Sequence, residues 1–364
     1  MNEQTGSVYS ARLARVMERM KALGLRQLLV ADPDSVWYLT GYYNEPMERM
    51  MVFCVRSDGR HIFCLNRLFP APDAPWEQLW FTDTDDAVGM LAAVLEPGQP
   101  VGIDKIWPAR FLLPLMEKAP GCRPVLASDC VDRCRACKDS AEQALMRAAS
   151  RINDQVMEEA ARFFHEGVTE REAARFIEDR YAALGCSGPS FPTIVSFGAN
   201  GADPHHEPDD TPLAPGDSIV IDMGCRKDRY CSDMTRTYFW KEASGEARAV
   251  HDLVRRANEQ AEALVKPGIP LCALDKAARD LIAGAGYGEF FTHRLGHFIG
   301  QRDHEQGDVS SANTALAEPG MIFSIEPGIY LPGRFGVRIE DLVLVTETGC
   351  EVLNRVDKHC RVLG

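Results

Sequence analysis

Two acids on facing strands constrain this chain more than any other feature in it. Asp217 to Trp240, DSIVIDMGCRKDRYCSDMTRTYFW, reads as a β-hairpin. A β-branched apolar run from Ser218 ends at Asp222, and Tyr230 to Trp240 alternates Thr, Arg and aromatic residues. A reversal between Lys227 and Asp228 places Asp222 opposite Asp233 on one sheet face, with Cβ atoms about 4.5–5.5 Å apart. Like charges at that spacing repel. On a solvated surface hairpin the repulsion is harmless, but Val220 and Ile221 keep the strand apolar up to Asp222. The pair therefore lies near a core and calls for a cation.

A chain of 364 residues exceeds what one core needs, so two domains are expected. A net charge of −13 without a compensating Lys/Arg block argues against a nucleic-acid partner. The start, MNEQTGSVYSARLARV, has no apolar leader pattern, and no run of about 18 apolar residues follows it. The expectation is a cytoplasmic protein with no membrane partner. Twelve cysteines fit a reducing compartment, scattered as they are through apolar segments. Cys130, Cys134 and Cys137 have the C-x3-C-x2-C spacing that holds an iron–sulfur cluster in radical-SAM enzymes. Ala136 stands where those enzymes carry an aromatic, and no glycine-rich run follows, so thiols on a domain connection are the better reading.

Along the first third, strands and helices alternate. Ala11 to Leu23 reads as an amphipathic helix ended by Gly24, Leu28 to Ala31 as a buried strand, and Ser35 as the cap of a short helix. Strands at 51–55 and 61–65 flank Ser57-Asp58-Gly59, and a helix at 85–95, a strand at 101–104 and a helix at 111–118 follow. This pattern is an α/β domain ending near Asp132. From Ser140 long helices take over, 140–164 and 169–184, the second opening on a T-E-R-E capping box. Helices at 246–265 and 271–283 precede strands at 321–325, 328–331 and 337–346.

Three later motifs can complete a site around the hairpin acids: His297 in HRLGHFIGQRDHE, Glu326 in FSIEPGIY and Glu340 in GVRIEDLVLV. Each places a polar group in an apolar strand-like segment. Four carboxylates and one imidazole are too acidic for one ion but suit two divalent cations bridged by carboxylates. In order and context, D-x10-D, L-G-H, I-E-P-G-I-Y and V-R-I-E-D, the sequence resembles the metal-dependent "pita-bread" peptidases, in the branch of prolidase and aminopeptidase P. LLVADPDSVWYLTGY resembles the creatinase-type N-terminal domain of that branch, so the resemblance covers nearly the whole chain.

The resemblance implies an α/β creatinase-like N-terminal domain over 1–133 and an α+β pita-bread catalytic domain over 134–364. It implies an exopeptidase cutting between an N-terminal residue and a following proline in a small peptide, through a hydroxide bridging two divalent ions. Mn²⁺ is expected, with Co²⁺ or Zn²⁺ as alternatives. Asp222 would chelate one ion, Asp233 and Glu340 would bridge, and His297 with Glu326 would hold the other, with Glu326 also taking the proton of the nucleophile. His205 and His304 match histidines that act on the reaction, and His293 and Arg338 match residues lining the substrate pocket. His206 is read as structural. The arginine that many dipeptidases carry after the HE pair is missing, since Gln306-Gly307-Asp308 stands there. Arg302, two residues before His304, would point the same way in an extended segment and could hold a peptide carboxylate instead. Relatives also imply a homodimer. The alternative is a non-catalytic binding protein on the same fold.

Overall fold

The computed structural model describes residues 3–71 and 75–364. It divides into two compact units, Met1–Arg135 and Ala136–Gly364. Among the described residues no helix is long and apolar enough to cross a membrane.

In the first unit a six-stranded sheet runs in the order β4-β3-β2-β1-β5-β6. Its strands are β1 (Gln27–Val30), β2 (Val52–Arg56), β3 (Ile62–Asn66), β4 (Glu77–Phe81), β5 (Val101–Ile103) and β6 (Pro124–Leu126). Helices α1 (Glu3–Ala22), α2 (Pro33–Thr40), α3 (Ala87–Val94), α4 (Ala109–Lys118) and α5 (Asp129–Ala136) complete it. Strands β1 to β3 are buried along their whole length, because helices and loops cover both faces. The cap of α2 is Asp32 and not Ser35: its carboxylate accepts from Ser35 N–H at 3.1 Å and Ser35 Oγ–H at 2.7 Å, and Pro33 opens the first turn. Strands β4 and β6 and helix α5 escape the sequence pattern. Both strands are sheet edges, half exposed, so neither alternates cleanly. Cys130 and Cys134 lie one turn apart on α5 in the core, Cys134 Sγ 3.3 Å from the Cys130 carbonyl, with burial raising the Cys130 thiol to about 11. They pack as small hydrophobes.

The second unit wraps two helix pairs around sheets. Its helices are α6 (Ser140–Phe163), α7 (Glu170–Ala183), α8 (Gly245–Leu264) and α9 (Leu271–Gly284). Capping boxes start α6 at Asp139 and α7 at Thr169, the latter as T-E-R-E foretells. The strands are β7 (Gly188–Pro189), β8 (Ile194–Phe197), β9 (Ser218–Met223), β10 (Cys225–Lys227), β11 (Tyr230–Cys231), β12 (Met234–Trp240), β13 (Gly296–Phe298), β14 (Glu305–Val309), β15 (Ile322–Ile325), β16 (Gly328–Leu331), β17 (Phe335–Arg338), β18 (Asp341–Val345), β19 (Cys350–Val352) and β20 (Val362–Leu363). Sheet β20-β12-β9-β8 receives α6 and α7 through Ile219, Ile221, Met223, Met234 and Tyr238. Sheet β14-β13-β15-β18-β19 receives α8 and α9 through Phe323, Ile325, Val343 and Val345. Because strand side chains alternate, Asp222 and Thr235 face away from α6 and α7.

The hairpin register differs from expectation by two residues. Asp228 and Arg229 form the tip, both at positive φ (47° and 72°), and Lys227 pairs with Tyr230. This is the two-residue turn whose twist suits antiparallel strands. Asp222 therefore pairs with Thr235, and Asp233 lies diagonally across from it. A shift of two preserves the faces, so both acids stay on the same side. The segment read as one strand over 337–346 is two, β17 and β18, belonging to different sheets and parted at Ile339-Glu340. That break delivers Glu340 inward.

Candidate metal and peptidase site

Close backbone approach builds the site locally. A Cβ at Gly224 would lie 2.0 Å from the Ser232 carbonyl oxygen, and one at Gly296 would lie 1.9 Å from that of Ser324. Only glycine allows the hairpin to cross beside Asp233 and β13 to press on β15, which carries His297 toward Glu326. Arg236, almost fully buried, donates to the carbonyls of Thr235 (2.9 Å) and Glu340 (2.7 Å) and pairs with Asp341 at 2.7 Å. Asn258 on α8 donates to the Ile325 carbonyl at 2.8 Å. The backbones at Glu340 and next to Glu326 are thus pinned from behind.

A cavity of about 410 Å³ opens in this unit, lined by Asp222, Asp233, His293, His297, Glu326 and Glu340, with His205 and His304 at its rim. His297 Nε2 lies 3.5 Å from Asp233 Oδ2, 3.5 Å from Glu326 Oε1 and 4.0 Å from Glu340 Oε1. Its Nδ1 faces the Phe298 carbonyl at 3.2 Å, an acceptor only, so Nδ1 carries a proton. In the neutral ring the Nε2 lone pair then points at carboxylates. That arrangement is repulsive unless a cation sits between them.

Orphaned oxygens make the same point. Asp222 Oδ1, Asp233 Oδ1 and Glu340 Oε1 are buried without a hydrogen-bond partner. Burial, then the charges of Asp222 and Glu326, push Asp233 well above the usual carboxyl range; burial, then Asp233, does the same to Glu340. Glu326 behaves oppositely: burial raises it, but His297, His293 and Arg338 outweigh burial and hold it low. A second acid–imidazole group, Glu170, His206 and Asp209, offers an internal contrast. There every Glu170 oxygen is taken, Oε1 by Phe197 N–H and Asn200, Oε2 by His206 Nε2 (2.7 Å) and Asp209 N–H. That group clasps the loop carrying His205 through the bond of His206 to Glu170. The donor set at Asp233, His297 and Glu340 is unsatisfied and fits a divalent cation.

The remaining residues divide. Arg338 is engaged on every side: Asp222 Oδ2 at 2.7 Å, Tyr330 O–H at 3.0 Å, Thr235 Oγ1 at 3.1 Å and the Pro204 carbonyl at 3.2 Å. It orients Asp222 and leaves that residue one oxygen for a ligand. His293 donates from Nδ1 to the Arg294 carbonyl (2.7 Å) and accepts at Nε2 from Tyr330 (2.8 Å), so it offers the cavity a ring face and no free nitrogen. His304 stacks on His297 at 3.8 Å between centroids. Arg294 Nη2 donates to its Nδ1 at 3.1 Å. Burial and the neighbouring His297 lower the His304 pKa to about 4. The ring is therefore neutral at pH 7 with its proton on Nε2.

Arg302 is the expectation the geometry does not follow. Residues 300–304 are a run of bends, Gly300 N–H donating to the Arg302 carbonyl at 3.0 Å, and Arg302 is not among the residues lining the cavity. Sequence reasoning also passed over Thr235, Tyr330 and Arg294. Thr235 was legible, since it shares a strand face with Asp233 and Asp222 in either register. Tyr330 and Arg294 carry no such signal, because only the folding of β16 brings Tyr330 against His293 and Arg338, and only that of the 291–295 loop brings Arg294 to the cavity.

Residues 144–347 match metallopeptidase family M24, and residues 12–137 match the creatinase/prolidase N-terminal domain. An uncharacterized peptidase of Staphylococcus aureus is 34% identical over 359 residues, 95% of this chain and 99% of that protein. Among solved structures, the dipeptidase PepE from Mycobacterium ulcerans superposes with a TM-score of 0.93 at 35% identity, covering 98% of both chains. The prolidase from Thermococcus sibiricus gives 0.90 at 32%, covering 98% of this chain and 99% of its own. The Xaa-Pro dipeptidase from Bacillus anthracis gives 0.90 at 25%, covering 98% and 100%. With its buried, unsatisfied carboxylates gathered around His297, the chain belongs to metallopeptidase family M24, a pita-bread protein of the proline-peptidase branch with a creatinase-type N-terminal domain.

Proposed function

We propose that this protein is a dinuclear exopeptidase that hydrolyses the bond between an N-terminal residue and a following proline. The observation carrying this reading is the trio of orphaned oxygens on Asp222, Asp233 and Glu340 beside the His297 lone pair. Asp222 would hold one ion, Asp233 and Glu340 would serve both, and His297 with Glu326 would hold the second. Two bound divalent ions supply carbonyl polarisation and a more acidic water. Glu326, ionised at neutral pH, takes the proton from the attacking water and returns it to the leaving proline nitrogen. His304 Nε2–H and the His205 ring meet the oxyanion that develops on the carbonyl. Phe191, Pro192, Ile194 and Pro204 form an apolar wall that suits a proline ring, which has no N–H to satisfy.

The test is chelation followed by titration with Mn²⁺ or Co²⁺, using an Xaa-Pro dipeptide as substrate. Activity disappears on chelation and returns in full at two equivalents per chain. Full turnover by metal-free protein contradicts the reading, and metal binding without turnover of any peptide marks a non-catalytic binding protein. Manganese as the native ion, a homodimer and cytoplasmic residence belong to the same proposal; metal analysis of protein purified without added metal, sedimentation and cell fractionation read them.

Thr235→Val tests the support behind the ligands. Thr235 Oγ1–H donates to Glu340 Oε2 at 2.7 Å while accepting from Arg338 Nε. Valine keeps the shape and removes both bonds. Losing such an orienting contact weakens metal binding by about 10- to 100-fold. A metal titration with an unchanged far-UV spectrum checks this, and an unaltered affinity refutes it.

A further inference from the structure

Glu326 follows β15 and Glu340 lies between β17 and β18, so nothing in the strand ladders fixes the spacing of the two carboxylates. Both segments are instead held from behind by groups that converge on one cation. Arg236 donates to the Glu340 carbonyl at 2.7 Å and to Asp341 Oδ1 at 2.7 Å. Asn258 Nδ2 donates to the Ile325 carbonyl, next to Glu326, at 2.8 Å. Lys358 Nζ joins these two arms: it lies 2.7 Å from Asn258 Oδ1, 2.8 and 2.7 Å from the two Glu262 oxygens and 2.6 Å from Asp341 Oδ2. Four oxygens around an ammonium with three N–H bonds leave one in charge contact only, and Asp341 Oδ2 is the one without a hydrogen bond. Asp341 is fully buried and the Lys358 side chain is 15% exposed. Burial and the charge of Asp341 push Glu262 up to about 7 even with Lys358 beside it.

We propose that Lys358 is a positioning residue of the metal centre, tying the arm behind Glu340 to the arm behind Glu326 and so setting the affinity of both carboxylates for the ions. This role rests on Glu326 and Glu340 sharing a centre with His297. An ammonium has donors only, so it turns the Asn258 amide oxygen toward itself and the NH₂ toward the Ile325 carbonyl. On the other arm it holds the second oxygen of Asp341, whose first oxygen aims Arg236 at the Glu340 carbonyl. Lys358 is also open to solvent from outside. It lines a groove of about 330 Å³ with Asn354 and Asp357, and that groove shares no residue with the cavity at His297.

Cobalt reads the centre without turnover. Co²⁺ binding is measured by calorimetry and by its visible absorption bands, with melting temperature alongside, for wild type, Lys358→Ala, Lys358→Met and Asn258→Leu. K358A and K358M weaken binding by about 10- to 100-fold, the effect of losing an orienting contact behind a ligand, and shift the cobalt bands. Glu262, already close to neutral, takes up a proton when the ammonium is removed, which spares the fold a bare charge. Propylammonium supplies the missing Cγ to Nζ atoms through the outer groove and restores K358A, whereas propanol does not. N258L cuts the arm to Ile325 alone, so its loss and that of K358M fail to multiply in the double variant. A lysine that serves only the fold lowers the melting temperature while the folded protein keeps its cobalt affinity and bands, which overturns the proposal. Losses that multiply overturn it, as does rescue by both additives alike or by neither. Where neither Lys358 variant folds, N258L decides, and unaltered cobalt binding in it overturns the proposal. Wild type that takes up no ion overturns this role and the dinuclear reading together. Wild type that binds Co²⁺ yet cleaves no Xaa-Pro peptide ends the peptidase reading alone, and the cobalt comparison still decides on Lys358.

Discussion

Asp233→Asn loses turnover and at least one equivalent of metal, yet in chelator the variant melts no lower than wild type. The two halves of this result have one cause. In the metal-free protein burial and the charges of Asp222 and Glu326 hold Asp233 far above the usual carboxyl range, so the ionised form is a burden on the fold. An amide removes that burden. With metal present the sign reverses, because an amide cannot serve two cations as a carboxylate does. Removing one member of a buried charge set costs about 3–5 kcal/mol, so affinity falls by about 10²- to 10⁴-fold. Calorimetric melting with and without metal, together with metal analysis, reads both halves. Retention of both ions by the variant contradicts the bridging role.

His304→Ala lowers kcat by about 10²- to 10³-fold, the effect of removing one preorganised donor to an oxyanion. Metal content and melting temperature stay near wild type, since the ring sits in a segment of bends and none of its nitrogens touches a candidate ligand. The pH profile adds a check with a definite sign. Burial beside His297 lowers the His304 pKa to about 4, so the neutral Nε2–H donor persists as pH falls from 7 toward 4 and is lost only below that. An acidic limb of kcat near the ordinary histidine pKa of about 6.5 therefore does not belong to His304, and H304A preserves it. A variant that melts early or sheds metal while its folded fraction turns over normally makes the histidine structural.

Site residues proved easier to read than the contacts they make. Asp222, His297, Glu326 and Glu340 stand out in sequence because each interrupts or ends an apolar run, and Asp233 because the hairpin brings it beside Asp222; a buried charge without a partner is costly enough to be informative by its position alone. All five line one cavity. The T-E-R-E and Gly24 signals placed helix ends for an equally local reason, since caps are made by residues a few positions apart. The hairpin register was beyond that reach. Whether the tip is Lys227-Asp228 or Asp228-Arg229 depends on how the pairing continues into β9 and β12, and the two choices present the same faces. The partners of Arg338 and the destinations of Arg302 and Arg294 were likewise closed to sequence. A long flexible cation goes wherever acceptors lie, and those acceptors, Asp222 and Tyr330 for one and His304 for another, reach it only through the folding of separate strands and loops. The sequence by itself determined which groups must be paired or metal-bound. Tertiary structure alone decided which guanidinium is locked in the wall and which is left facing the cavity, because that depends on three-dimensional hydrogen-bond geometry that no spacing encodes.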